Sequence, residues 1–161
     1  MARLDNVRVG VWRGMQALVG EIERNIDEEL RAEWDISLGW FDVLASLQRL
    51  GGRARPLDVS SDMRLPPSSV SRRLDRLEEE GWIARHKYGD ANDHRAVDVE
   101  LTKTGRRLWR EMSVTYRRSL QALFAVHLDD ADIADMQRVL DLLVDAGQEI
   151  EDTSRSDRAS R

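Results

Sequence analysis

Apolar residues at Val7, Val11, Met15, Leu18, Ile22, Ile26 and Leu30 recur in steps of three and four. That period puts them on one face of a long helix. A second helix is expected from Ser37, a capping residue, with Phe41, Leu44, Leu47 and Leu50 turned inward and the pair Gly51–Gly52 ending it. Pro56 opens a short third helix to about Met63, "RLPP" breaks it, and a fourth runs over roughly 67–80 until Gly81. The pattern then changes. "WIARHKY" and "RAVDVEL" alternate loosely and favour strands, and "GDANDH" joins them as a polar loop, so a β-hairpin is expected. Thr102 caps a long helix through about Val126, and Asp129 with Asp132 opens the last one, whose inner residues are Ile133, Met136, Leu140, Leu143 and Val144.

This order is mainly α with a small β-hairpin. It divides into an N-terminal helix (1–35), a central module (36–101), C-terminal helices (102–147) and a polar, mixed-charge tail (148–161) expected to be disordered. The central module is too small to cover both terminal stripes along their length, and an uncovered stripe seeks another chain. A homodimer built from the two ends satisfies this. A monomer whose terminal helices pack on each other is the alternative.

Residues 56–81, "PLDVSSDMRLPPSSVSRRLDRLEEEG", hold two helices and a tight turn, the helix-turn-helix pattern. Val70, Leu74 and Leu77 must face inward, which turns Ser68, Arg72 and Asp75 outward, with Ser69, Ser71 and Arg76 on the flanks. Small hydroxyls let a helix end sink into the DNA major groove, and a guanidinium such as that of Arg72 can pair bidentately with guanine. An ordinary amphipathic helix with a solvated Ser/Arg face has the same pattern. The hairpin that follows favours DNA: a wing can place Arg95 in the neighbouring minor groove, with Asp93 aiming the guanidinium and His94 against phosphate or solvent. A solvated turn built from Asp and Asn is the competing account of that loop.

Charge modifies this picture. The 161 residues carry a net −5, unusual for a DNA binder. Residues 53–95, however, hold nine basic and eight acidic residues, a local +1 inside an acidic chain. There is no cysteine, so disulfides and thiolate metal sites are excluded. The three histidines show no metal-ligand spacing, and no nucleophile elbow or Gly-rich phosphate loop is present. No catalytic residue, metal or cofactor is therefore assigned. No stretch is apolar enough to span a bilayer, and "MARLDNVRVGVW" lacks a signal-peptide core, so a cytoplasmic protein is expected.

"SSVSRRLDRLEEEGWIAR" and "DANDHRAVDVELTKTGR", with the closing helix, resemble the MarR family of bacterial regulators over about residues 4–147. The resemblance implies a winged helix-turn-helix homodimer that binds pseudo-palindromic double-stranded DNA, usually as a repressor, and is often released by a small aromatic or phenolic molecule. The family's wing commonly reads Asp-x-Arg-Asp-x-Arg. Asp90, Asp93 and Arg95 fit it, while Asn92 replaces the first arginine. Pro66 stands where a serine cap is usual. An effector cleft is implied where the dimerisation helices meet the DNA-binding lobe. Trp12, Trp34 and Trp40 could wall it, with Arg13 as a carboxylate partner, although core or interface packing explains these tryptophans more simply, and no ligand is assigned. A protein-interaction module without DNA binding, and a DNA-binding regulator without an effector, are the competing functions.

Overall fold

The computed structural model describes residues 3–87 and 97–159, with side chains through residue 147. The elements are α1 (Asn6–Trp34), α2 (Leu38–Arg49), β1 (Arg53–Ala54), α3 (Pro56–Met63), α4 (Pro67–Glu79), β2 (Ile83–Lys87), β3 (Val97–Leu101), α5 (Lys103–Leu123), a 3-10 turn (Ala125–His127) and α6 (Asp130–Ala159). The chain forms two compact units, Met1–Leu120 and Gln121–Arg161.

The core lies in the first unit. Val43, Leu44 and Leu47 of α2 meet Val59 of α3, the stripe Val70, Leu74 and Leu77 of α4, and Ile83, Val99 and Leu101 of the sheet. Each such side chain contributes about 1.5–3 kcal/mol by leaving water. The sheet has three strands in the order β1-β3-β2, all antiparallel. The expected hairpin is present as β2 and β3, with Arg85 opposite Val99. Strand β1 adds to it and was not legible, because two residues have no period to read.

Helix ends are set by hydrogen bonds that glycines permit. Gly81 has φ +72, and behind it the Trp82 N–H reaches the Leu77 carbonyl at 2.9 Å, closing α4. Gly52 does the same for α2, donating to Leu47 at 2.8 Å. The turn from α3 to α4 instead uses Arg64 at φ +51. A non-glycine residue there costs on the order of 1 kcal/mol. The Leu65 N–H bonded to the Ser60 carbonyl at 3.1 Å, and the buried Ser60 hydroxyl donating back to the Leu65 carbonyl, offset it. Thr102 caps α5 as expected, accepting from the Gly105 N–H at 3.0 Å. Asp129 and Asp132 cap α6 reciprocally at 2.9 and 3.1 Å.

Two expectations change. Ser37 stands at the N-cap of α2 but its side chain makes no capping bond; Asp27 of α1 accepts from the Leu38 N–H at 2.7 Å instead. The tail, expected to be disordered, continues α6 to Ala159. Beyond Gly147 it contains neither glycine nor proline, so nothing in it breaks a helix already under way.

The terminal stripes are open to solvent in the single chain. On α1 only Ile26 and Leu30 are buried, while Val11 is 58% exposed. On α6, Ile133, Met136, Leu140, Leu143 and Val144 are all exposed, Leu140 by 47%. No helix among the described residues is long and apolar enough to cross a membrane.

Candidate nucleic-acid interface

Helix α4 presents a polar outer face because its apolar stripe is committed to the core. Ser68, Ser71, Arg72, Asp75 and Arg76 are exposed and Ser69 is partly covered. Pro66 occupies the N-cap and offers no side-chain bond; Pro67 follows at the first helical position, where a missing N–H costs nothing. Arg72 has no ion-pair partner among the described residues. Arg76 pairs with Glu79 at 2.9 Å, but both are well exposed, so the pair is weak and the guanidinium can leave it. With Trp40 and Ser69, the arginines Arg72, Arg73 and Arg76 line a shallow pocket of about 360 Å³. Three arginines lining one pocket suit an anion such as phosphate.

Arg73 escaped the sequence reading because it lies between the buried and outer faces. Its guanidinium donates to the Gly39 carbonyl at 3.1 Å and so ties α4 to the start of α2. Trp40 beside it meets the Trp82 ring edge-on, centroids 5.9 Å apart, bridging α2 and the base of the hairpin.

Residues 34–96, which include α2, α3, α4 and β2, match the MarR family. The chain is 33% identical over 86 residues to the transcriptional regulator PecS of Dickeya dadantii, a match covering 52% of this chain and 50% of PecS, so the aligned part spans half of that relative. It is 24% identical over 148 residues to the transcriptional repressor MdtR of Bacillus subtilis, 92% of each chain. Among solved structures, the Streptomyces coelicolor MarR-family regulator Sco3205 in complex with DNA superimposes with a TM-score of 0.78 at 18% identity, over 89% of this chain and 93% of that one. The organohalide-sensing regulator RdhR in its 2,4-dichlorophenol-bound form gives 0.75 at 21%, over 88% and 82%. These two share the fold.

The sheet flanks α4 as a wing. His86 and Lys87, at the described end of β2, are exposed. Asp90, Asn92, Asp93, His94 and Arg95 lie outside the described residues. At the wing's base Arg53 pairs with Asp98 at 3.0 Å and His86 with Glu100 at 2.9 Å. Arg85, also missed, reaches back to α4 and holds Asp75 at 2.6 Å and Glu78. Burial works against its charge, but the two carboxylates outweigh this and keep the guanidinium firmly protonated. The signal was present: Ile83 and Arg85 share one side of a strand, and Asp75 and Glu78 share one side of a helix.

The four residues considered for an effector are not brought together. Trp12 and Arg13 are exposed on α1. Trp12 and Trp34 are separated by 22 residues of one continuous helix, about 33 Å at 1.5 Å per residue, too far to wall one small-molecule pocket in a single chain. Trp34 donates to Thr115 of α5 at 3.0 Å. Trp40 belongs to the arginine pocket. A different cleft, of about 690 Å³, opens where α1 meets α2, α3 and α4, lined by Gly20, Asp27, Asp42, Arg49, Met63 and Arg73 among others. Burial pushes the Asp42 carboxyl up to about 6 against the pull of Arg73; Glu23 adds to the rise and Arg49 opposes it.

Proposed function

We propose that this chain is a homodimeric, sequence-specific DNA-binding transcriptional regulator that represses from pseudo-palindromic operators. The observation that carries the reading is the outer face of α4, where Ser68, Ser71, Arg72 and Arg76 stand clear of the core beside a wing. Small residues at the helix start admit it to the major groove, and Arg72 reads a base edge while Arg76 meets phosphate. The exposed stripes of α1 and α6 support the dimer. The names of the relatives, a regulator and a repressor, support the direction of control. Such a protein works where the DNA is, in the cytoplasm of a bacterium.

The finer part of the proposal is release by a small aromatic molecule. The dichlorophenol-bound relative and the cleft between α1 and the DNA-binding helices support it.

A gel shift with the DNA flanking the gene tests the core reading. A specific complex, formed by a species of twice the 18.5 kDa chain mass in light scattering, is the expected result. Met15→Glu with Leu140→Glu should give a monomer that no longer shifts this DNA. Two recognition helices about 34 Å apart would read successive half-sites. A monomeric wild type, or no preference over unrelated DNA, overturns it. A panel of aromatic acids added to the complex tests the effector.

A further inference from the structure

Helix α4 carries three arginines, Arg72, Arg73 and Arg76, and three acids, Asp75, Glu78 and Glu79, so by itself it is electrically neutral. Asp75 is the difficult member. It is exposed on the same outer line as Ser68 and Arg72, which in the proposed complex faces a phosphate-lined groove. An unscreened carboxylate there opposes every phosphate nearby. The fold supplies a counter-charge from outside the helix. Ile83 is buried under α4, and strand alternation puts Arg85 on the same side of β2, where its Nη2 lies 2.6 Å from Asp75 Oδ1 and its Nη1 donates to Glu78 Oε2. Its side chain is 25% exposed, so the guanidinium is held between strand and helix rather than loose in solvent.

From this geometry we infer that Arg85 is a positioning residue that masks the recognition helix's own carboxylates, so that an acid-bearing helix can approach DNA. The inference rests on the DNA-binding reading above. It assigns Arg85 no contact with DNA: both ends of its fork are taken by Asp75 and Glu78. What reaches the DNA is Arg72 at a base edge and Arg76 at phosphate, freed from competition by Asp75. Arg85 also ties the wing to α4, since one side chain bridges the strand to two successive turns of the helix.

The test is a rescue. Wild-type protein first selects its preferred duplex from a randomised pool, and that duplex is the probe. Arg85→Ala should bind it more weakly by on the order of tenfold or more, because two carboxylates are left bare beside phosphate. Arg85→Lys, which keeps the charge and loses the fork, should fall between. The triple variant Arg85→Ala/Asp75→Asn/Glu78→Gln has no guanidinium and no carboxylate to mask, and should recover most of the lost affinity. A triple variant as weak as Arg85→Ala, with a salt slope lower than wild type by about one unit, would make Arg85 a phosphate contact and overturn the inference. So would an Arg85→Ala protein that binds as the wild type does. If Arg85→Ala fails to fold, the triple variant still decides, because its thermal melt and its affinity are read on the same sample. Failure of the wild type to select any duplex overturns the DNA reading itself, a result distinct from failed rescue.

Discussion

Asp27 and Leu38 stand on consecutive helices, and the carboxylate of the first accepts the leading backbone N–H of the second at 2.7 Å. Asp27 also holds Arg31 at 2.6 Å on its own helix. The long N-terminal helix therefore caps α2 from outside. Asp27→Ala should lower stability by about 1–2 kcal/mol, the usual loss for an N-cap. Ser37→Ala, at the formal cap position, should change it by only a few tenths, because its side chain makes no capping bond. Thermal or urea unfolding of the two variants checks this; equal losses would refute it.

Asp42 links stability to pH. Its carboxyl is raised from 3.8 to about 6, foremost by burial. A raised acid binds its proton more tightly in the folded state, so the stability it contributes is full below pH 3.8 and is lost as pH rises through about 6. Asp42→Asn should therefore be more stable than wild type at neutral pH, by on the order of 1–2 kcal/mol after allowing for solvent screening. The advantage should vanish toward pH 4. Melting curves across that range should converge at the acid end; divergence there would contradict the assignment.

Gly105 sits where no side chain fits. A Cβ built there would lie 2.0 Å from the Trp82 carbonyl oxygen. The same carbonyl accepts from the Thr102 N–H at 3.0 Å, so it cannot easily move away. Gly105→Ala should destabilise the chain by about 1–3 kcal/mol despite alanine's better helix propensity. Calorimetry showing an unchanged or raised melting temperature would refute this.

Arg72→Ala separates reading from holding. Loss of a bidentate base contact should cost about 1–3 kcal/mol of discrimination and leave non-specific binding nearly intact. Competition with unrelated DNA measures both. An equal loss on all sequences would make Arg72 a phosphate contact.

Much of this protein is written in its periodicities. Steps of three and four marked the helices, Gly51–Gly52 and Gly81 marked ends that need a left-handed residue, and the Val70–Leu74–Leu77 stripe turned Ser68 and Arg72 outward. These are local matters: a helix face or a left-handed turn is decided by residues within a few positions of each other. Pairings across the fold were decided only in three dimensions. Asp27 displacing Ser37 as a cap spans 11 residues, and Trp34 bonding to Thr115 spans 81. Arg73 found the Gly39 carbonyl, and Arg85 found Asp75 and Glu78, because packing α4 on α2 and on β2 brought those groups within hydrogen-bond reach. A charged side chain on a flexible stem has several possible partners in sequence. Which one it takes depends on where the core sets the backbones, and the tertiary structure alone settled that for the two arginines that tie the α4 helix into the fold.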